Sequence, residues 1–562
     1  MNPLTYGMPR RQAVVGKNQM TSPRRSSQRL DAWIVCVLTI IGLCLFAASE
    51  SAFYGDAITY ASDTRAGVLI EPGHLLWRPF MKIIEIAINR DSSYSSVLWQ
   101  FQFACLAASV LAMIAMYLLA SPMYGRLAAA LTAALMAVSN GFWTYSFSGC
   151  SYSLSVLFAI LALHVAISDR AEVTPRRALL AGLLGGLSAG TWAIQALVAP
   201  AIWLVLVLTP PRAKFPTVAH VKHTVALAAG YSITFVIPVL LAYLIQSHWN
   251  ASAWQAAARP GAPGLGAWAS ASAHGIPAHF GLAQGLRVAL GWPQSFVSLA
   301  NVGSKLRLWR LHEAAFPASA WLLLPIAFYC ALACVIGVLA RAYPHLDRRD
   351  RAVVVAATVA IATNLMFAAS WQGTDLERYF PSLPFQLLLI ALAIRCSATH
   401  RLATPYVVMG LLLLTGVAVC NWYGTFKPVL APDSLRQTWL RELRRATSAG
   451  DLVVLLGPRM SVIVAPHDPR MPKIDNVSNE IVMRGAGWRD AELRNIAATR
   501  RHGGHVFLAD SLFGPDSGPR NGWSFKDFPD PSAEELRQTF LPYKSDRGAF
   551  VAAGEQVWRG KN

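Results

Sequence analysis

The chain has 562 residues, of which 54% are hydrophobic and only 14% charged, and its formal net charge is +19. Apolar runs of membrane-spanning length recur through the first three quarters of the sequence, which excludes a soluble globular protein and predicts a polytopic α-helical membrane protein. Most of the positive excess lies before residue 423, where Lys and Arg set membrane orientation, and no nucleic-acid-binding motif accompanies it. We therefore expect no nucleic-acid partner.

The N-terminal segment, residues 1–30, contains six Lys or Arg and no acid. No small-residue cleavage site follows the first apolar run, so a removed signal peptide is not expected. The segment is predicted to be a disordered basic tail on the cytoplasmic side, followed by a retained first helix.

The first outer loop, residues 49–96, is rich in acids. A surface helix over residues 56–66 would place Asp56, Tyr60 and Asp63 on one face. Two carboxylates two turns apart are separated by about 10 Å along the axis, so this spacing favours one reacting acid over a pair that acts together. The alternative is that these carboxylates only face water. The loop contains six acids, which are Glu50, Asp56, Asp63, Glu71, Glu85 and Asp91.

Eleven apolar runs predict transmembrane helices, and Lys and Arg are concentrated in alternate loops between them. This bias predicts a cytoplasmic N-terminus and an extracytoplasmic segment after residue 422. Within the fifth run, Gly182, Gly186 and Gly190 form a stripe that predicts close packing against another helix. The runs cover residues 33–48, 97–120, 127–139, 152–167, 178–190, 194–208, 224–245, 321–339, 353–370, 383–394 and 406–420.

A second long outer segment, residues 246–317, is rich in Gly, Ala and Pro. It is predicted to be a mobile flap that could exclude water from an active site, and a simple linker is the alternative. His312 and Glu313 near its end are further candidate site residues.

The segment from residue 423 to 562 carries 20 Lys or Arg and 16 Asp or Glu, a balance that is typical of a soluble domain. Its patterns predict a small α/β domain with helices at 434–448, after 490 and after 532, and strands at 452–456 and 505–509. All eight cysteines lie in or beside apolar runs elsewhere, so neither a disulfide framework nor a zinc site is expected. The domain has no nucleotide-binding motif.

Three stretches of the sequence resemble glycosyltransferases of the GT-C superfamily, especially the bacterial members that are similar to polyprenyl-phosphate-mannose protein mannosyltransferases (family 39-like). The stretch "GDAITYASDTRAGVLIEPGHLLWRPF", residues 55–80, is similar to their first extracytoplasmic loop. "FWTYSFSGCSYSLSVLF", residues 142–158, and "DLERYFPSLPF", residues 375–385, are similar to two later motifs. The matching positions in the first stretch are Asp56, Tyr60, Pro72, His74, Leu75, Leu76, Trp77 and Pro79.

The chain departs from the family pattern at the second motif. Family members often carry an acid where the helix after "FW" begins, and this chain has Gly149 and Cys150 there. A second catalytic acid at this place is therefore not expected.

The resemblance implies a GT-C-like bundle of about 11 transmembrane helices, residues 31–422, and a small C-terminal extracytoplasmic α/β domain, residues 423–562. It implies an inverting glycosyltransferase of a bacterial cytoplasmic membrane. The enzyme would move a sugar from a polyprenyl-phosphate donor to a hydroxyl of a glycan, lipid or protein acceptor. No cofactor is implied with certainty, no metal ligand is assigned, and dependence on a divalent metal stays open.

Residue roles follow from the resemblance and from the chemistry. Because the leaving group is already a stable phosphate anion, one base suffices, and Asp56 is the candidate. Arg378 is the one basic residue in the short outer loops and is the candidate to hold the phosphate. Tyr60, Asp63, His74 and Tyr379 are candidate substrate-binding residues. An ion pair with Asp375 or Glu377, or anchoring to bulk lipid, is the alternative for Arg378, and a structural hydrogen bond is the alternative for His74.

Two other classes compete with the enzyme. A lipid or sugar transporter or flippase would place ionisable groups near the membrane midplane, often in two repeated halves. The sequence has almost no ionisable residue inside an apolar run, His164 lying near a cytoplasmic end, and it has no internal repeat. A noncatalytic scaffold that presents the C-terminal segment is the third reading.

Overall fold

The structure of the protein is a computed structural model. It describes residues 22–48, 57, 60–61, 64, 69–70, 73–88, 94–167, 174–209, 216–246, 282–298, 320–371, 376–398, 403–427, 435–456, 472–477, 487–513, 533–552 and 555–560. The candidate base Asp56 lies outside these residues. So do Asp63, Glu71, His312, Glu313, residues 1–21 and most of the predicted flap.

Helices make up nearly all of the described chain before residue 428. They are α1 (Ser22–Ala47), α2 (Trp77–Ile88), α3 (Tyr94–Tyr124), α4 (Arg126–Val138), α5 (Asn140–Tyr145), α6 (Tyr152–Ile167), α7 (Pro175–Thr191), α8 (Ala199–Leu208), α9 (Pro216–Tyr231), α10 (Ile237–Gln246), α11 (Leu282–Phe296), α12 (Ala320–Ala342), α13 (Arg348–Trp371), α14 (Leu383–Ala398) and α15 (Ala403–Asn421). A 3₁₀ turn, Ala193–Val198, precedes α8, and another, Leu376–Ser382, precedes α14.

Each of the eleven apolar runs is helical, and among the described residues six helices are long and apolar enough to cross a membrane. The chain is therefore a multi-pass membrane protein, while the count of eleven crossings stays a prediction. The six helices are Gln28–Ala47, Val97–Tyr124, Thr217–Ala242, Leu323–His345, Arg348–Ala369 and Leu376–Ser397.

The glycine stripe of α7 packs against α9. A side chain at Gly182 would collide with the backbone carbonyl of Leu227, and one at Gly186 would come within 2.8 Å of the Tyr231 carbonyl oxygen. Without side chains at these positions, the two backbones approach closely and gain van der Waals contact. The prediction that the stripe serves packing is confirmed.

Two ion pairs join helices at one end of the bundle. Arg126, at the start of α4, contacts Asp31 of α1 at 2.6 Å. Arg395, near the end of α14, contacts Asp350 at the start of α13 at 2.5 Å. Arg395 also donates a hydrogen bond to the carbonyl of Met123, near the end of α3. We refer to this end as the basic end, because Arg348, Arg349 and Arg351 lie in the same first turn as Asp350.

The described part of the chain after residue 434 contains a five-stranded sheet. Its strand order is β2-β1-β3-β5-β4, in which β1 is parallel to β2 and β3 while β5 is antiparallel to β3 and β4. The elements are α16 (Leu435–Ala446), β1 (Leu452–Leu455), β2 (Lys473–Asn476), α17 (Trp488–Arg501), β3 (Val506–Ala509), α18 (Ala533–Phe540), β4 (Lys544–Ala552) and β5 (Glu555–Gly560).

Strands β1 and β3 are buried throughout, as their continuous apolar sequences predict for the centre of a parallel arrangement. Helices α17 and α18 pack over the sheet, with the rings of Trp488 and Phe540 6.2 Å apart. The three predicted helices and two predicted strands are present, and β2, β4 and β5 were not predicted. The domain boundary at residue 423 stays a prediction.

Candidate active site

The three motifs with a family resemblance meet at the end of the bundle opposite the basic end. The first motif is held by two backbone hydrogen bonds, one to the last turn of α7 and one from the 3₁₀ turn that follows it. The Leu76 N–H donates to the Gly190 carbonyl at 2.8 Å, and the Ala193 N–H donates to the Gly73 carbonyl at 2.9 Å. A side chain at Gly190 would lie 2.6 Å from Leu76, so this glycine lets the motif sit directly on the helix end.

His74 in this motif contacts the second motif. The residue is 7% exposed, and its Nδ1 lies 2.6 Å from the hydroxyl oxygen of Ser151, just before α6. The ring centroid is 5.2 Å from that of Tyr60 and 5.8 Å from that of Tyr152. These contacts fix the orientation of the imidazole. The alternative role for His74 was a structural hydrogen bond, and the bond to Ser151 is of that kind.

The acidic loop supplies a buried helical face. Ala57, Tyr60, Ala61 and Thr64 are helical and buried, and their spacing of three and four residues is that of one helix face. Arg78, at the start of α2, lies with its guanidinium carbon 5.4 Å from the centroid of the Tyr60 ring and is only 5% exposed. This cation–π contact brings a buried positive charge next to the predicted site.

Gly149 forms the turn between α5 and α6, where family members often carry an acid. Its φ is +88°, a value that favours glycine. A Cβ at this position would lie 2.9 Å from the Cβ of Ala57 and 3.3 Å from that of Phe101, while the Gly149 carbonyl accepts a hydrogen bond from the Trp77 indole at 3.3 Å. The acidic loop thus packs on a turn that has no room for a side chain at position 149.

The third motif forms the 3₁₀ turn Leu376–Ser382. Glu377 accepts a hydrogen bond from the Tyr145 hydroxyl at 2.7 Å and pairs with Arg378, whose Nη2 lies 3.3 Å from Oε1. The residues are 4% and 8% exposed. The sequence analysis gave this ion pair as one alternative for Arg378. The guanidinium is buried, and the Glu377 carboxylate orients it.

An aromatic cluster joins the second and third motifs. We define it as Tyr145, Tyr152, Trp192 and Phe380. The Tyr145 and Tyr152 rings meet edge to face at 4.9 Å, and the Trp192 ring lies 4.7 Å from Tyr152. Phe380 lies 5.6 Å from Tyr145 and 6.3 Å from Trp192. Aromatic surface with a few oriented polar groups is typical of a small-molecule site.

Helix α11, near the middle of the second outer segment, ends against this site. Asn140 of α5 donates a hydrogen bond to the Gln294 carbonyl at 2.9 Å, and Asn421 at the end of α15 donates to the carbonyls of Phe296 and Val138. The sequence did not predict a helix here. Of the predicted flap, the described residues 282–298 are packed against the bundle.

The structure thus brings together four of the six predicted site residues. Tyr60, His74 and Arg378 belong to the contacts above. Tyr379 is buried beside them, while its neighbour Phe380 supplies the ring of the aromatic cluster. Asp56 and Asp63 lie outside the described residues. Within the described part of the chain, no group of three His, Cys, Asp or Glu residues could hold a metal ion.

The site also contains residues that the sequence did not single out. Arg78 and Tyr145 lie inside two of the quoted motifs, so their position could have identified them, whereas Glu377 was named only as a possible ion-pair partner of Arg378. Trp192 lies in a stretch without a motif, and only its contacts identify it.

Comparison with solved structures gives the same fold over nearly the whole chain. ArnT from Cupriavidus metallidurans in the apo state matches with a TM-score of 0.51, at 10% identity, over 94% of this chain and 98% of that one. The structure of the same protein bound to undecaprenyl phosphate matches with a TM-score of 0.50 at the same identity and coverage.

The archaeal oligosaccharyltransferase AglB from Archaeoglobus fulgidus, in complex with an inhibitory peptide and a dolichol-phosphate, matches with a TM-score of 0.48 at 13% identity, over 92% of this chain and 73% of that one. No protein-family model and no curated protein sequence matches the chain. The chain therefore shares the fold of ArnT over 94% of its length, and the resemblance seen in the sequence is confirmed for the fold.

Proposed function

We propose that this protein is a glycosyltransferase of a bacterial cytoplasmic membrane that moves a sugar, with inversion, from a polyprenyl-phosphate donor to an acceptor hydroxyl. The observation that carries the proposal is the meeting of three separate motifs in one buried cluster of polar and aromatic residues. The fold adds support, since ArnT has been solved with undecaprenyl phosphate bound.

The charges of the cluster suit a phosphate leaving group. Arg78 and Arg378 are both buried, and a buried cation attracts an anion more strongly than an exposed one because the local dielectric constant is low. Arg378 is held by Glu377, which in turn is held by Tyr145. Such preorganised donors stabilise charge that develops on the departing oxygen.

The proposed base is Asp56. It directly precedes Ala57, whose Cβ packs on the turn at Gly149. In the proposed step Asp56 accepts the proton of the acceptor hydroxyl while the oxygen of that hydroxyl forms a bond to the anomeric carbon of the sugar. The bond from that carbon to the phosphate oxygen breaks, and polyprenyl phosphate leaves with the electron pair. Tyr60, Asp63, His74 and Tyr379 would bind the substrates.

The positive-inside rule supports an outward-facing site. The basic end carries the Arg-rich turn at the start of α13, and the rule assigns such turns to the cytoplasm. The cluster lies at the opposite end of the bundle, where α6 and α14 begin. The proposed transfer therefore takes place on the extracytoplasmic side.

The test uses purified full-length protein with candidate polyprenyl-phosphate sugars and acceptors, and measures released polyprenyl phosphate together with glycosylated acceptor. We expect Asp56→Asn to remain folded and inserted while it loses transfer, because the amide cannot take the proton. Asp490→Asn, at an exposed acid of α17, is the matched control and should transfer as the wild type does.

Transfer by Asp56→Asn within a few-fold of the wild type would remove the assignment of the base. Movement of the lipid-linked sugar across vesicles without release of polyprenyl phosphate would instead establish the transporter or flippase. If no donor tested gives either turnover or movement across the membrane, the scaffold remains as the function.

A further inference from the structure

A buried polar chain lies behind the 3₁₀ turn that carries Arg378. Its centre is Asn364, which is 0% exposed and lies within the membrane-spanning helix Arg348–Ala369. A polar side chain inside a membrane helix costs free energy unless it is hydrogen-bonded, so Asn364 needs partners within the protein. No motif of the sequence pointed to this residue.

Asn364 binds the turn through both ends of its amide. Nδ2 donates to the Arg378 carbonyl oxygen at 2.6 Å, and Oδ1 accepts from the Ser382 hydroxyl at 2.5 Å. A backbone carbonyl can only accept, so its partner must be the NH₂ end of the amide. The orientation of the side chain is therefore fixed by its partners.

The backbone of the turn lacks the donor that would normally satisfy this carbonyl. In a 3₁₀-helix each carbonyl accepts from the N–H three residues later. Three residues after Arg378 is Pro381, which lies inside the turn and has no N–H. The amide of Asn364 supplies the missing donor from a neighbouring helix.

The chain continues to the outer segment. Gln386 of α14 donates from Nε2 to the Ser382 hydroxyl oxygen at 2.7 Å, and its Oε1 accepts from the Trp292 indole of α11 at 3.1 Å. The turn is thus connected through side chains to α13, α14 and α11.

We infer that Asn364 is a positioning residue that holds the Arg378 turn by replacing the N–H that Pro381 cannot provide. This inference rests on the proposed function only for its catalytic consequence, that the arginine meets the donor phosphate in one fixed place. Its structural part, that the turn depends on the Asn364 amide, stands apart from any activity.

The test compares Asn364→Leu with the matched control Thr363→Val. The control removes a hydrogen bond that stays within α13, to the Val359 carbonyl at 2.9 Å. Hydrogen–deuterium exchange of peptides covering residues 376–386 reports on the turn. We expect faster exchange in Asn364→Leu and wild-type exchange in Thr363→Val.

A rescue variant makes the test specific. Pro381→Ala restores an N–H at the position from which a 3₁₀ turn would donate to Arg378. In the Asn364→Leu background this second change should return exchange toward the wild-type rate. It should also recover donor kcat/KM, which Asn364→Leu is expected to lower on the order of tenfold with KM for the acceptor unchanged. Pro381→Ala alone should leave the exchange of residues 376–386 at the wild-type rate.

Unchanged exchange in Asn364→Leu, or a double variant no better than the single one, would overturn the inference. If exchange responds as expected but donor kcat/KM stays within twofold of the wild type, the positioning role in catalysis is wrong. A wild-type protein without transfer activity would defeat the proposed function, and the exchange results would then decide the structural part alone.

Discussion

The turn at Gly149 offers the sharpest perturbation of the proposed site. The substitution Gly149→Ala adds one methyl group at a position where φ is +88° and where Ala57 and Phe101 already lie at contact distance. Two costs follow. Backbone strain at a positive φ is about 1–3 kcal/mol, and overpacking of a filled site adds about 1–3 kcal/mol.

Gly125 separates these two costs. It joins α3 to α4 with a φ of +89°, but a Cβ there would have nothing within 4 Å. Gly125→Ala should therefore lower the free energy of unfolding only by the backbone strain. Gly149→Ala should lower it by roughly twice as much, because overpacking is added to the strain. Because the added methyl pushes on the residue next to Asp56, Gly149→Ala should also lose transfer by about a hundredfold.

The assay has two readings for each variant: the free energy of unfolding in mixed detergent, and the rate of polyprenyl phosphate release per folded molecule. Ala57→Gly removes the nearest atom and should recover part of both losses in the Gly149→Ala background. Equal destabilisation of the two single variants, with transfer unchanged in Gly149→Ala, would refute the close packing of the acidic loop on this turn.

Three further predictions concern neighbouring contacts. Arg378→Gln should lower both the stability of the protein and its use of the donor, because it leaves Glu377 buried without its cation. The double variant Arg378→Gln/Glu377→Gln should regain stability but not donor use. Thermal unfolding and donor kinetics of both variants separate the two roles. Ser151→Ala should weaken transfer by releasing the ring of His74, and a variant with wild-type kinetics would exclude that contact from the mechanism. Gly182→Ala should lower the unfolding temperature without affecting the donor KM of the folded fraction, since its Cβ meets a backbone carbonyl far from the cluster.

The helices could be predicted from the sequence because membrane-spanning helices have a simple signal. Apolar runs such as residues 97–120 exceed the length that a soluble helix needs, and every predicted run is helical. The weaker elements were missed for physical reasons. Strand β2 has the sequence "KIDN", which has little apolar pattern, and α11 contains Pro293 and two glycines, which argue against a helix.

The candidate site could be predicted only in part. Motif resemblance pointed to His74 and Arg378, which are both buried among the converging motifs. Asn364 and Trp192 could not be found this way, because each acts through contacts between residues that are distant in sequence. A periodic pattern reports which face of a helix is buried, and it does not report which helix supplies the partner.

The length of α3 links the chemistry of the site to the orientation of the chain. Near its start Gln102 donates to the Phe147 carbonyl beside the Gly149 turn, and near its end the Met123 carbonyl accepts from Arg395 at the basic end. At about 1.5 Å per residue, the helix between these contacts spans about 30 Å, which is the thickness of the hydrocarbon core of a bilayer. The two ends can therefore lie at opposite surfaces of the membrane, each in contact with water and headgroups. In the proposed function, the phosphate of the donor would then meet Arg78 and Arg378 at the site end without entering the core, and its polyprenyl chain would stay in the lipid beside the helices.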